Sequence, residues 1–167
     1  MEKMSYVIPD YVTAEDMKRI RKKLDVTQKE LAELIHCSKS TVERWEMSEE
    51  PVTGPVVFLL KLVEKHPEYI EEVRVPKRVY PLRLWYMHKQ DVCTLIEVDV
   101  AGQKVHIKNY AEHLMFRAFG VNENPDYKDY EEFLESRCFP RTRDKMKLVL
   151  EDLELPFYDP MLIVEKT

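Results

Sequence analysis

The stretch TQKELAELIHCSKSTVERWE, from Thr27 to Glu46, decides the fold of the first half of this chain. Thr27 and Glu30 have the spacing of a capping box, in which each side chain satisfies a backbone N–H group at the start of a helix. Apolar residues then recur at helical spacing. After a short break, Ser38 is placed to cap a second helix. The stretch therefore predicts two short helices joined by a tight turn.

The second of these helices has short polar side chains at its start and an arginine one turn further on. Such side chains can hydrogen-bond base edges in the major groove of DNA, while residues at the start of the first helix can anchor it to phosphates. The residues from which we expect DNA contacts are Thr27, Gln28, Lys29, Ser38, Lys39, Ser40, Thr41 and Arg44. The alternative is a pair of amphipathic helices that only build a core.

The stretch resembles the helix-turn-helix of the Cro/repressor-type (XRE) family, and the resemblance extends over residues 13–73. The matching residues are Gln28, Ala32, Val42 and the ending Arg44-Trp45-Glu46. The resemblance implies a DNA-binding domain, and the gap-free match favours this over the alternative. One residue departs from the pattern, because His36 stands where the family usually has glycine. The left-handed backbone expected there costs a residue with a Cβ about 1 kcal/mol.

The composition excludes several classes of function. The chain has only three glycines, so it holds no Gly-rich phosphate loop and no dinucleotide fingerprint. No apolar run is long enough to cross a membrane, and the first residues lack the apolar core of a signal peptide. The three cysteines lie far apart without a metal-binding spacing, as is typical of reduced thiols. We therefore expect a cytoplasmic protein that needs no metal and no cofactor.

The net charge of −5 is unusual for a protein that binds nucleic acid. Phosphates respond to the local field within a Debye length, so the placement of the basic residues matters more than their sum. Basic residues cluster at 18–23 and in the second helix of the pair, whereas acidic residues concentrate elsewhere. We therefore expect binding to double-stranded operator DNA that is specific, and weak binding to random sequence.

Two domains are predicted, with a charged, proline-containing linker at residues 74–81 between them. Residues 1–75 have the pattern of an all-α helix-turn-helix domain, although the first dozen residues look irregular. The helix expected at Pro55–His66 is apolar on nearly all sides. A small helical domain cannot cover so much apolar surface, which favours a homodimer.

Residues 76–167 have the pattern of a small α+β domain. Period-two alternation predicts three strands within residues 82–110, most simply an antiparallel three-stranded meander. Helical patterns follow at Ala111–Phe119, from Asp126 and at Thr142–Leu153. An apolar tail strand is expected at Met161–Val164. The predicted fold class is therefore α+β overall, with the all-α domain first.

The second half shows none of the spacings typical of a catalytic triad, a nucleophile elbow or a metal site, so we do not expect an enzyme. Acidic residues at 126–132 could hold a cation, but a solvated helix face is the plainer interpretation. Basic residues at 137–147 predict a helix face that binds a protein partner, with an ordinary solvated face as the alternative. These residues are Arg137, Arg141, Arg143, Lys145 and Lys147.

The segment RLWYMHKQDVCTLIEVDVAGQKVHIKNY, within residues 82–110, resembles the N-terminal subdomain of HipA-like toxin kinases. The ATP-binding and catalytic motifs of those kinases are absent. This second resemblance implies a kinase-docking or inhibitory module and not a kinase. Together the two resemblances imply an antitoxin-like autorepressor whose C-terminal domain binds a protein partner, such as a HipA-like kinase toxin.

A different class of function fits the same domain order. The chain could be an anti-CRISPR-like protein of a phage or mobile element, which inhibits a host defence system through its second half. The helix-turn-helix would then serve only to regulate the protein's own operon.

Overall fold

The computed structural model describes residues 7–166, and its fold class is α+β, as predicted. Contacts divide the chain into two compact units, with the boundary between Val75 and Pro76. We call them the N-terminal unit and the C-terminal unit.

The N-terminal unit consists of helices and one very short strand pair. Its elements are β1 (Tyr11–Val12), α1 (Ala14–Lys23), α2 (Gln28–Leu34), α3 (Lys39–Met47), β2 (Val52–Thr53), α4 (Pro55–Lys65) and α5 (Glu68–Val73). Strands β1 and β2 pair antiparallel, so Tyr11–Val12 corrects the expectation of an irregular start. The sequence pattern missed this pair because two residues are too few to show a period. Residues 1–6 of that expectation lie outside the described residues.

Local side-chain chemistry explains where the first two helices begin. Thr13 caps α1 and Thr27 caps α2, each in a complete capping box with the acidic residue three positions later. The hydrogen bond from Arg19 and those inside the cap lower the pKa of Asp16 to about 2. The box predicted at Thr27 is therefore confirmed, and each of the two boxes satisfies two backbone N–H groups that a bare helix end leaves open.

The core of the N-terminal unit is built from the apolar stripes of its helices. Its fully buried members include Met17, Ile20, Leu31, Val42 and Leu60. Each large aliphatic side chain contributes about 1.5–3 kcal/mol when it leaves water. Packing therefore supplies most of the stability of helices that are too short to persist alone.

The C-terminal unit holds a three-stranded antiparallel sheet followed by helices. Its elements are β3 (Leu82–His88), β4 (Asp91–Asp99), β5 (Lys104–Asn109), a 3₁₀ helix (Leu114–Phe116), α6 (Tyr127–Ser136), α7 (Met146–Asp152) and α8 (Pro160–Lys166). The sheet order is β3-β4-β5, and Leu84 lies opposite Ile96, which lies opposite Ile107. The predicted meander is confirmed.

The central strand β4 is buried on both faces. On one face, Ile96 and Val98 pack with Tyr130 and Leu134 of α6. On the other, the carboxylate of Glu97 is fully buried. It accepts hydrogen bonds from Arg83 Nε at 2.7 Å and from the backbone N–H of Val79. A buried carboxylate is tolerated because this arginine and this amide replace its water.

Two predicted elements are wrong. A helix was expected at Ala111–Phe119, but this segment contains only the short 3₁₀ turn. The N–H of Ala118 donates to the hydroxyl of Thr94 at 3.1 Å, so a side chain of the buried strand takes the place of a helical carbonyl. The side chain of Arg117 also donates, through Nε, to the carbonyl of Ala111 at 2.9 Å.

The tail expected as a strand at Met161–Val164 is the helix α8 instead. Asp159 caps its start, since the N–H of Leu162 donates to the Asp159 carboxylate at 3.0 Å. Pro160 follows at the first helical position, where its fixed φ suits a helix. Short apolar runs do not distinguish strand from helix by period, and the cap decides the outcome here.

Helix α7 is shorter than the predicted Thr142–Leu153, and its apolar side chains, such as Val149 and Leu150, are only half-buried.

Across residues 7–166, no helix has both the length and the apolar character that crossing a bilayer requires.

The backbone at His36 gives a stability test. His36 has φ of 53° and an exposed side chain, so the predicted left-handed turn is confirmed. We expect His36→Gly to raise the free energy of unfolding by about 1 kcal/mol, because glycine takes this conformation without strain. Urea unfolding followed by Trp45 fluorescence, with Trp85 replaced by Phe, measures the change.

The matched control is Glu33→Gly, at an exposed position inside α2, which should lower the free energy of unfolding by about 1 kcal/mol. An equal loss at both positions contradicts strain at His36.

Candidate nucleic-acid interface

Helices α2 and α3 are joined by a turn at residues 35–38. The N–H of Cys37 donates to the carbonyl of Ala32 at 2.9 Å, which closes the end of α2. Ser38 then caps α3, because its hydroxyl accepts from the N–H of Thr41 at 3.1 Å. The predicted second cap is therefore confirmed. The left-handed backbone of His36 lets the chain change direction between the two helices.

The first turns of α3 present a polar surface. Lys39, Ser40 and Arg44 are exposed, and Thr41 is half-exposed. The Ser38 hydroxyl lies 2.9 Å from the Ser40 hydroxyl and 2.8 Å from that of Thr41. Hydroxyls can both donate and accept, so this surface can satisfy either kind of base-edge group.

Two of the predicted lysines already have a carboxylate neighbour. Lys39 Nζ lies 2.8 Å from Glu43 Oε1, and Lys29 Nζ lies 3.6 Å from Glu33 Oε1. These four side chains are 41–74% exposed, and ion pairs at solvated positions contribute little to stability. The lysines can therefore exchange these carboxylates for phosphates at small cost.

Beneath this surface lies a charged residue whose structural role sequence reasoning missed. Glu46, near the end of α3, is only 3% exposed. Arg21 of α1 donates to its carboxylate through Nε at 2.6 Å and through Nη2 at 3.2 Å. Gln28 of α2 donates through Nε2 at 2.8 Å. One carboxylate thus connects the three helices, and we call these side chains the Glu46 cluster.

The Glu46 cluster keeps its carboxylate ionised. Burial alone raises the pKa of Glu46, but the hydrogen bonds from Arg21 and Gln28 and the charge of Arg21 outweigh it. The net result is a pKa below the ordinary glutamate value. Arg21 also donates through Nη1 to the carbonyl of Val26 at 3.3 Å. All three nitrogens of its guanidinium therefore form hydrogen bonds.

The cluster changes the interpretation of two residues. Arg21 belongs to the basic cluster at residues 18–23, but its side chain is only 19% exposed and points to Glu46. Gln28 was expected to anchor DNA, and in the free protein its amide supports α3. The missed signal is that Glu46 lies four residues after Val42, on the buried stripe of α3.

The basic residues predicted as a partner-binding helix face do not share a helix. Only Lys147 lies on α7, which begins at Met146. Lys145 precedes it with φ of 57°, a backbone that ends the helical pattern. Arg141 lies in a loop, 2.9 Å from Glu135. The predicted helix face is therefore wrong.

The two remaining arginines stack on aromatic rings. Arg143 lies 5.5 Å from the ring centre of Phe139. Arg137, at the end of α6, lies 5.0 Å from the ring centre of Tyr86 and 5.1 Å from that of Phe133. The acidic residues nearby serve as caps, since Asp126 and Asp129 form the capping box of α6. In residues 7–166, no three potential metal-ligating side chains form a group.

Comparison with known proteins places similarity in the part of the chain that holds this interface. Residues 2–74 match the family described as the antitoxin component of a bacterial toxin-antitoxin system, MqsA. This match covers the N-terminal unit almost completely and leaves residues 82–110 outside. The resemblance of that segment to HipA-like kinases therefore stays a prediction.

Two relatives are also antitoxins. Antitoxin HigA-2 of Vibrio cholerae serotype O1 is 32% identical over 62 residues, which are 37% of this chain and 60% of that protein. Antitoxin MqsA of Escherichia coli K12 is 33% identical over 68 residues, which are 41% of this chain and 48% of that protein. The chain thus spans about half of the length of these relatives.

The Glu46 cluster can be tested by stability. We expect Glu46→Gln to lower the free energy of unfolding by about 3 kcal/mol, because Arg21 is left half-buried without its carboxylate. The double variant Arg21→Met with Glu46→Leu should recover most of the loss, since apolar side chains of similar size need no partner. Urea unfolding of the full chain measures both. A double variant that is as unstable as Glu46→Gln contradicts the assignment of a buried ion pair between Arg21 and Glu46.

The lowered pKa of Glu46 also predicts a pH dependence. Folding favours the ionised form, so its stabilising contribution is complete above the pKa of an unfolded glutamate, about 4.3, and is lost as the pH falls through the lower folded value. The stability difference between wild type and Glu46→Gln should therefore shrink below about pH 4. A difference that is constant with pH contradicts an ionised Glu46.

Proposed function

We propose that this chain is a sequence-specific DNA-binding regulator, an antitoxin-like autorepressor without catalytic activity of its own. The observation that supports it most is an exposed polar surface on α3 whose other side is fixed by the Glu46 cluster. A recognition helix needs rigid placement, because base readout depends on hydrogen bonds with short, directional geometry.

The roles of the residues follow from their position. Arg44 and Ser40 are placed to read base edges, and Arg44 suits guanine because its fork can donate to two acceptors. Lys39 is placed to contact a phosphate. At the start of α2, Thr27 through its hydroxyl and Lys29 through its charge anchor the helix to the DNA backbone.

The similarity to antitoxins supports the biological role. The matched residues 2–74 contain the whole proposed interface, and the relatives are named as antitoxins. These matches favour a toxin-antitoxin role over inhibition of a host defence system. We propose that the N-terminal unit is the XRE-type DNA-binding domain, whereas the C-terminal unit binds a protein toxin.

A homodimer is part of the proposal. Phe58 on α4 is 55% exposed, and Leu59 and Leu62 are half-buried on the same helix. A second copy that covers these side chains removes apolar surface from water. A dimer also places two α3 helices on one operator, which multiplies the specificity of a single short helix.

The role of α3 predicts the effect of two substitutions. Arg44→Ala should weaken operator binding by about 1–3 kcal/mol, and discrimination should relax at one base position. Lys39→Ala should weaken binding to all sequences alike. It should also reduce the slope of the logarithm of affinity against the logarithm of salt concentration by about one. Fluorescence anisotropy on the sequence upstream of its own gene, at several salt concentrations, measures both.

The control is Lys104→Ala, which removes an exposed lysine from the C-terminal unit and should leave operator affinity unchanged. Full affinity in both Arg44→Ala and Lys39→Ala means that α3 does not read DNA.

The dimer predicts the form of the operator. Footprinting on the same sequence should show two protected half-sites in inverted orientation, separated by about one helical turn, roughly 34 Å. Phe58→Glu should convert this into weak protection, because a charge prevents the apolar contact between copies. Protection of a single asymmetric site by the wild type contradicts a dimer.

A further inference from the structure

The outer edge of β3 is open. β3 is the first strand in the sheet order and pairs only with β4. Within residues 7–166, no group outside β4 forms a hydrogen bond with the main chain of β3. Protein sheets usually protect such an edge with charges, proline or a covering element. The consecutive residues Leu84, Trp85 and Tyr86 of this edge include neither a charged residue nor a proline.

A groove of about 360 Å³ follows this edge. Leu84, Trp85 and Tyr86 all line it, although neighbouring side chains of a strand point to opposite faces. A cavity that touches all three must therefore reach the strand's edge. Phe133 of α6 and Val164 of α8 line it further, so the groove lies between the strand and the two helices.

The groove has one charged lining residue, Arg137. Its guanidinium carbon lies about 5 Å from the ring centres of both Tyr86 and Phe133, which contact each other edge-to-face. These ring contacts hold the guanidinium in place without using its N–H groups, which stay available for a planar acceptor. No carboxylate in the described part of the chain forms an ion pair with Arg137, whereas Arg141 and Lys147 each have one.

We propose that this edge binds an extended segment of a partner protein, which adds a strand to β3. The segment would place an apolar side chain in the groove and a nearby Asp or Glu on Arg137. Main-chain hydrogen bonds to the open edge supply affinity, and the groove and Arg137 supply the sequence preference. The register shift between Tyr86 and Met87 limits the pairing to the first part of β3.

This inference rests on the proposed partner-binding role of the C-terminal unit, and it replaces the predicted basic helix face with a defined surface. An acidic segment is favoured because Arg137 is the sole charge among the groove's lining residues. A neutral apolar strand would leave the guanidinium without an acceptor.

The probe is a displayed library of random linear peptides, selected on the immobilised full chain. We expect enrichment of peptides that combine alternating apolar residues with an acidic one. The affinity of an enriched peptide should fall about tenfold or more with Arg137→Gln, as expected when one partner of a charge-assisted contact is removed. Methylating alternate peptide amides should abolish binding, since the main-chain hydrogen bonds are lost.

Two further variants separate the groove from general effects. Arg143→Gln removes another ring-stacked arginine, which does not line the groove, and should leave the affinity unchanged. Val164→Trp fills the groove from its exposed rim and should block binding even if Arg137→Gln disturbs folding. The proposal is overturned if no peptide is enriched, or if enriched peptides bind Arg137→Gln and Val164→Trp as well as wild type.

Operator binding distinguishes this inference from the proposed function. Arg137→Gln should protect the operator as the wild type does. A wild type that binds the peptides but no operator contradicts the regulator alone, and normal operator binding without peptide capture contradicts the groove alone.

Discussion

The hydrogen-bonded carboxylate of Glu46 is the interaction on which the N-terminal unit depends. Arg21 comes from α1, Gln28 from α2 and Glu46 from α3, so one buried acceptor sets the mutual position of three short helices. Apolar packing alone permits small rotations of such helices, whereas a paired charge in a low-dielectric site requires specific geometry. The exposed face of α3 is thereby held in one orientation, which is what a surface that reads bases needs.

The C-terminal unit uses the same physical device in a sheet. Glu97 is fully buried in β4 and accepts from Arg83 and from the N–H of Val79. This pair fixes residues that precede β3 against the middle strand, although it leaves the outer edge of β3 open. In each unit a buried carboxylate thus organises the local structure, while the surface that remains available is polar on α3 and apolar beside β3.

What the sequence predicts and what it misses follow from the range of the interactions. The caps of Thr27 and Ser38 act over three residues, so they and the helices that they begin could be predicted. The Glu46 cluster joins residues 25 positions apart, and only the position of Glu46 on an apolar stripe could have indicated it. The helix predicted at Ala111–Phe119 is wrong because the backbone N–H of Ala118 donates to the hydroxyl of Thr94, a residue distant in sequence. The strand predicted at Met161–Val164 is wrong because a short apolar run is compatible with a strand and with a helix.

The most direct test of the account is an NMR titration of the full, ¹⁵N-labelled chain with a duplex that carries the protected operator sequence. We expect the amide signals of residues 27–29 and 38–44 to shift, the Arg21 and Gln28 side-chain signals to keep their positions, and the signals of residues 82–164 to be unaffected. Shifts confined to residues 82–164, or an operator complex without any change in α3, would contradict the assignment of α3 as the DNA-reading helix.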